Sequence, residues 1–222
     1  MTLRELTHHK HIEAEQHEFS KILLSGEISK ALYANFLFNN LICYAALENK
    51  IQHILVDKNL QGIERTNKMA FDLSQLSDNI VFGLLPSTQQ YCEYINNLSD
   101  DKKLIAHMYV RHMGDMYGGQ ILKNLVPSVG TMYEFTNRSE SVKIIRENLT
   151  DDMAPEAIIV FNFVISLFDE LMIFHKEIEK QIEETKKPVE QVTQPQVQEV
   201  QQPVILPPVA PPPVPVPAET QE

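Results

Sequence analysis

Apolar residues along this chain recur at intervals of three and four, and no segment alternates strictly as a half-buried strand would. The pattern predicts an all-α, single-domain helical bundle. Thr2 followed by Glu5 has the S/T-x-x-E form of a capping box. A first helix is therefore expected from about Leu3, through the histidine-rich stretch His8, His9, His11 and His17, to about Phe19. The short apolar piece Ile22-Leu23-Leu24 stops at Ser25-Gly26. Ser29 is placed to cap a long second helix reaching about Val56, and its density of leucine, isoleucine and phenylalanine makes it central. After a loop over 58–62, a helix is expected from about Ile63 to Leu76, with a break at Ser77-Asp78-Asn79. Pro86 opens the next helix and Ser99-Asp100-Asp101 the one after, which closes at Pro127 to Gly130. A polar stretch, Asn137 to Glu140, leads to a helix carrying Lys143 and Arg146. Pro155 begins a last long helix, Glu156 to about Lys187.

One segment departs from ordinary helix composition. Tyr109 to Lys123 reads Y-V-R-H-M-G-D-M-Y-G-G-Q-I-L-K. Leu104, Ile105, Met108, Met113, Met116, Ile121 and Leu122 are spaced for one buried face, yet Gly114, Gly118 and Gly119 interrupt it. Three of the chain's seven glycines lie within six positions. Each costs about 1 kcal/mol relative to alanine inside a helix, so something must compensate. Gly114 and Gly118 could serve a close helix crossing, or the backbone could lie against a flat ligand. Asp115, placed among them, could order water and pass a proton; an exposed surface aspartate is the plainer alternative.

Composition narrows the setting. The 222 residues carry a formal charge of −11, which argues against nucleic acid as the main partner. Cys43 and Cys92 match no metal or redox spacing and read as buried free thiols in a reducing compartment. The N-terminus has no apolar run, and no stretch of about 18 unbroken apolar residues occurs, so no signal, membrane anchor or spanning helix is expected and the location reads as cytoplasmic. Ten of the thirteen prolines fall after Lys187. Residues 1–187 are thus expected to form the domain, and 188–222 a proline-rich disordered or semi-rigid tail, with a docking peptide as the sharper alternative.

The remaining candidate chemistry is a pair. His11 and Glu15 stand four residues apart and share a helix face. If His11 held a metal through one ring nitrogen, Glu15 could accept from the other and fix the tautomer. An ordinary surface pair has the same spacing. Arg4, Lys143, Arg146, Tyr109 and Arg111 could meet carboxylates of a ligand, or be solvated.

The segment R-H-M-G-D-M-Y-G-G-Q-I-L-K resembles the distal-helix signature of the heme oxygenases, R-Y-L-G-D-L-S-G-G-Q-x-L-K. H-I-E-A-E-Q-H-E-F resembles the segment bearing that family's heme-ligating histidine, and Y-A-A-L-E from Tyr44 to Glu48 resembles its Y-x-A-L-E. F-N-F-V-I-S-L-F-D-E-L, from Phe161, resembles the late helix that closes the pocket. The resemblance covers about residues 1–180. It implies heme between the first helix and a glycine-kinked distal helix, serving as both cofactor and substrate.

Carried over residue by residue, His11 matches the proximal iron ligand and Glu15 its partner. Gly114, Gly118 and Gly119 match the distal glycines. Asp115 matches the aspartate that organises distal water, and Tyr44 and Arg111 match members of that network. Arg4 and Tyr109 match contacts on the propionate side. His8 stands where many members have lysine, and Tyr117 replaces a small serine. Lys143 and Arg146 are the candidates for late propionate contacts. The implied reaction uses O2 and cleaves heme to biliverdin, carbon monoxide and ferrous iron. The chain has no flavin or nicotinamide motif, so electrons come from an external donor, ferredoxin in soluble members. Lys10, Lys123, Lys143 and Arg146 are candidates for its docking, and a bilin reductase is a possible downstream partner. The main alternative is a non-catalytic heme carrier or sensor, which has no need of Asp115 or the glycines. A thiamin-degrading relative would need a cysteine nucleophile motif that Cys43 and Cys92 do not provide.

Overall fold

A computed structural model describes residues 1–76 and 80–186 of the chain. The expected break at 77–79 and the tail at 188–222 lie outside the described residues. Nine α-helices account for most of the rest: α1 Leu3–Gln16, α2 Glu18–Ser25, α3 Lys30–Asp57, α4 Thr66–Ser74, α5 Pro86–Asn97, α6 Asp101–Val110, α7 His112–Leu122, α8 Arg138–Glu147 and α9 Ala154–Lys186. Short 3-10 turns at Thr131–Tyr133 and Asp151–Met153 join them, and no strand occurs among the described residues.

The caps read from sequence are formed. The Thr2 hydroxyl accepts from Glu5 N at 3.4 Å, and the Thr2 N–H donates to the Glu5 carboxylate at 2.7 Å. Ser29 accepts from Leu32 N at 3.2 Å, and Pro86 occupies the first turn of α5.

Two expected helices start or stop elsewhere, and a third, the glycine-bearing one, is divided at Arg111. The first helix stops at Gln16 rather than Phe19, because His17 is extended and caps α2. Its Nδ1 accepts from Phe19 N at 3.1 Å, and its Nε2 lies 3.0 Å from Asp169 on α9. The helix expected from Ile63 starts instead at Thr66. There Glu48, from the middle of α3, accepts from the backbone N–H of both Arg65 and Thr66 and from the Thr66 hydroxyl. A carboxylate supplied by another helix thus does the work of an N-cap.

α3 runs through the middle, packing on α4, α5, α6 and α9. The core falls into two clusters. One gathers Leu47, Ile51, Leu55, Tyr91, Leu104, Met108, Met116 and Ala157. The other gathers Phe19, Tyr33, Leu37, Tyr133, Leu167 and Leu171, with Phe19 stacked on Phe168 at 4.7 Å. Cys43 is fully buried, Cys92 only partly, and both are free thiols.

By length and hydropathy alone, the helix over Asp151–Gln181 is apolar enough to cross a membrane, with mean hydropathy 2.1 over its best window. It is instead the helix against which α1, α2, α3, α5 and α6 pack. Two of its carboxylates are bonded to those neighbours. Glu170 accepts from Ser87 N and Oγ at the start of α5, and Glu156 lies between Tyr94 and His107 at 2.6 and 3.1 Å.

Candidate functional site

The glycine-bearing segment forms two helices, α6 and α7, interrupted at Arg111 rather than at a glycine. All three glycines lie inside α7 and none has a positive φ. Their surroundings divide them. A Cβ at Gly114 or Gly118 would meet nothing within 4 Å, so no helix crosses there. The small-residue crossing is therefore not what these two glycines serve within the fold. Gly119 differs: it is buried, and its missing side chain leaves room for the Tyr133 ring, whose Cγ lies 3.0 Å from the Cβ position. Ile121, expected on the buried face, is 61% exposed. Gly114, Tyr117, Gly118 and Ile121 recur at helical spacing on one uncovered face of α7.

This contrast makes a prediction. Gly118→Ala should stabilise the ligand-free protein by about 0.5–1 kcal/mol, because alanine gains helix propensity in open space. Gly119→Ala should destabilise it by roughly 1–3 kcal/mol, because Tyr133 must give way. Thermal unfolding of the two variants measures the difference; equal effects would mean the glycines share one role.

Opposite in character to the open face is what lies behind it. Tyr44 comes from α3 and is buried, and its hydroxyl donates to Asp115 Oδ2 at 2.5 Å. Burial pushes the Asp115 carboxyl above its ordinary range, while the Tyr44 hydrogen bond and the charges of His112, Arg65 and Arg111 pull the other way. Burial and the Asp115 charge push the Tyr44 hydroxyl well above its usual value. Arg111 is buried too: it donates to Asn40 Oδ1 at 3.1 Å and lies 4.0 Å over the Tyr91 ring and 5.7 Å from Tyr44. Its Nε has no hydrogen-bond partner among the described residues. Burial works against the Arg111 charge, but Tyr91, Cys43 and Tyr44 more than offset it, so the guanidinium stays ionised. The result is a phenol–carboxyl pair able to hold a proton, with a fixed cation beside it.

On α1, Arg4, His8, His11 and Glu15 are exposed and follow one another at i, i+4, i+7 and i+11, a single stripe along the helix. Leu3 and Thr7 face inward. His11 Nδ1 lies 3.4 Å from Glu15 Oε2, an ion-pair distance looser than a good hydrogen bond. The His11 ring meets the edge of Phe161 on α9 at 6.0 Å and keeps 53% of its side chain exposed. An imidazole oriented from one side and open on the other can ligate a metal. Tyr109 ties α6 to α1, with its hydroxyl 3.4 Å from Thr7 Oγ1. Lys143 and Arg146 are exposed on α8, and the Arg146 guanidinium sits 5.6 Å over the ring of Tyr117. The structure therefore gathers Tyr44, Arg111 and Asp115, and sets Arg146 at the edge of the glycine face. Among the described residues, no hydrogen bond or ion pair joins Arg4, His8 or Lys143 to that group.

Sequence reasoning did not single out Asn40, Tyr91, Tyr133 or His112. The signal for Asn40 was there: Asn39-Asn40 sits amid an apolar helix, and a buried amide requires partners. The stacking of Tyr91 on Arg111 depends on α5 lying beside the junction of α6 and α7, which no local pattern contains.

The heme oxygenase family model matches residues 1–150. The heme oxygenase 1 of Nostoc sp. is 30% identical over 199 residues, covering 76% of this chain and 84% of that protein. The heme oxygenase of Porphyra purpurea is also 30% identical, over 202 residues, with the same shares. Among solved structures, heme oxygenase-1 from Synechocystis in complex with heme shares the fold, with a TM-score of 0.68 at 22% identity over 82% of this chain and 96% of that one. Heme oxygenase-2 from Synechocystis in complex with heme and NO has a TM-score of 0.68 at 25% identity, over 82% and 88%. Because the family model spans well over half of the sequence and takes in both the α1 stripe and the open face of α7, this chain belongs to the heme oxygenase family.

Proposed function

We propose that the protein binds heme between the His11 stripe of α1 and the open glycine face of α7, and cleaves it oxidatively to biliverdin, carbon monoxide and ferrous iron. The observation that carries the reading is the uncovered backbone at Gly114 and Gly118 in front of the Tyr44–Asp115 pair. The residues fit the group. α1 is seated on α9 and α2, α7 on α6, α8 and α2, and the two make no substantial contact with each other. Bound heme would supply the iron at which O2 is activated and the meso carbon that is oxidised.

The chain's own residues do the rest. His11 would ligate the iron through Nε2, with Glu15 holding the ring's other nitrogen. The bare helix face would leave room beside the iron for a small ligand. Asp115 would order water there and release protons through it, with Tyr44 fixing the carboxyl's orientation and Arg111 favouring its ionised form. Arg4, His8 and Tyr109 on one side, and Lys143 and Arg146 on the other, would meet the heme carboxylates and so set the ring's rotation. Gly119 belongs to the same helix but acts by admitting Tyr133, which supports the glycine face from behind.

Electrons would come from an external donor, a ferredoxin in our reading. Of the cations proposed for its docking, Lys10 is paired with Glu13 at 2.8 Å and Lys123 with Glu134 at 2.6 Å. Lys143 and Arg146 carry no ion pair among the described residues, but the heme carboxylates claim them in this reading, so no cation is assigned to docking. The location would be cytoplasmic, and a bilin reductase would accept the product.

The test is direct. Hemin is added to the purified protein, followed by a reductant in air, and spectra are recorded. Loss of the Soret band with growth of a biliverdin band is expected. A stable complex that never degrades would favour the carrier reading, and no binding would overturn both.

A further inference from the structure

Cys43 and Cys92 are free thiols with no part in the site, and the packing of α3 on α5 brings them together. The chain enters α5 running the same way as α3. Asn35 accepts from Gly83 N at 2.9 Å, and Asn39, one turn on, accepts from Leu85 N at 3.0 Å. Thr88, in the first turn of α5, donates its hydroxyl to the same Asn39 Oδ1 at 2.9 Å. Cys43 stands four residues beyond Asn39, and Cys92 four beyond Thr88. One further turn along both helices therefore sets the two cysteines opposite each other. The sulfur positions agree. Cys92 Sγ lies 3.7 Å from the carbonyl oxygen of Ile42, the residue before Cys43. The two thiols are also in hydrogen-bonding contact with each other.

The pair is unequal in access. Cys43 is fully enclosed, whereas Cys92 is partly exposed. A fixed cation stands beside both. The Arg111 guanidinium is 4.0 Å over the ring of Tyr91, which precedes Cys92, and 5.7 Å from the ring of Tyr44, which follows Cys43. The Cys92 hydrogen bond draws the Cys43 thiol down to about 7, and the Arg111 charge adds to it, although burial opposes both. Near neutral pH the two sulfurs thus share one proton, and it is the thiolate that reacts.

We propose that Cys43 and Cys92 are a redox modification site, which hydrogen peroxide closes to a disulfide tying α3 to α5 and which thiol reductants reopen. Cys92 reacts first, because peroxide can reach it. With the shared proton on Cys43, the Cys92 sulfur attacks one peroxide oxygen, the O–O bond breaks and hydroxide leaves, giving a sulfenic acid. The Cys43 sulfur then attacks the Cys92 sulfur. The S–O bond breaks, and the hydroxyl leaves as water with the Cys43 proton. The two sulfurs together lose two electrons, and the peroxide gains them. In a reducing compartment such a bond is transient, formed under oxidant and lost after it. None of this draws on heme.

The full chain without heme is reduced, freed of reductant and treated with a slight excess of hydrogen peroxide. The reaction is quenched with catalase, the protein is unfolded and alkylated with N-ethylmaleimide, and mass spectrometry follows. Wild type should lose both alkylatable thiols together. Its intact mass should fall by two hydrogens, a linked Cys43–Cys92 peptide should appear, and dithiothreitol should restore both thiols. Cys43→Ala should stop at the sulfenic acid, trapped by dimedone at Cys92. Cys92→Ser should leave Cys43 largely alkylatable after the same treatment.

A wild-type protein in which Cys92 goes on to sulfinic acid, or joins a second chain, while Cys43 stays alkylatable would overturn the proposal. So would two thiols left untouched by peroxide. Both outcomes are read on the wild-type chain, so they decide the matter even if a variant does not fold. Ready oxidation of Cys43 in Cys92→Ser would overturn the order of attack.

Discussion

Asp115→Ala should bind heme with ordinary affinity and make biliverdin at a rate reduced by about 10²–10⁴-fold, the range for loss of a positioned proton donor. The geometry supplies the reason. Asp115 is the only member of the group behind the glycine face that pairs a carboxyl with a donated phenol proton, through Tyr44 at 2.5 Å. Heme affinity, by contrast, would draw on α1 and the apolar walls. The check is a parallel measurement of heme titration and single-turnover product formation. Wild-type turnover in the variant would remove Asp115 from the chemistry.

The same residue has an opposite effect on stability. Burial raises the Asp115 carboxyl above its unfolded value, so the folded state disfavours its charged form. The sign follows from linkage. Below the unfolded value the group is protonated in both states and the penalty is absent. As pH rises through the raised folded value, the charged form must be buried and stability is lost. Asp115→Asn removes that penalty and keeps an oxygen for Tyr44. It should therefore unfold at a higher temperature than wild type at pH 8, with the gap closing as pH is lowered. A gap that widens toward acid would mean the carboxyl is stabilised, not strained, by its surroundings. Sites that hold a proton in this way commonly give up stability for function.

His11→Ala carries the second large effect. An outer group that merely orients a ligating histidine is worth 10–100-fold in affinity, so removing the ligand itself should weaken heme binding by on the order of 100-fold or more. It should also change the ferric absorption spectrum. Glu15→Gln should fall between this variant and wild type. Three other histidines stand near His11 in sequence, and the structure sets one of them apart. His17 is committed to capping α2 and to Asp169, while His8 is exposed one turn earlier on the His11 stripe. An unchanged spectrum in His11→Ala, with loss on His8→Ala, would move the ligand by that turn.

Much of this was legible from residues alone, for identifiable reasons. Caps are local: Thr2 with Glu5, Ser29 with Leu32 and Pro86 at the head of α5 involve atoms within three residues, and each is formed. The i, i+4 pairing of His11 with Glu15 is likewise a matter of helical pitch. Most of the readings that changed depend on what does or does not arrive from far along the chain. Glu48 moves the start of α4 by three residues, and Asp169 helps hold His17 where the first helix ends. Gly119 is explained by Tyr133, fourteen positions on, and Ile121 is exposed because nothing packs where its face points.

By itself, then, the sequence determined the helical class, most helix starts, the family signature and the order of its candidate residues, since period, caps and motif are properties of neighbours along the chain. The tertiary structure alone decided which glycines face open space and which face a ring. It alone placed the phenol of Tyr44 on Asp115, set Arg111 between Tyr91 and Asn40, and enclosed His112 between Glu48 and Tyr44. Those facts depend on which helices meet and at what distance, and burial and hydrogen bonding acquire their energies only once the helices have met.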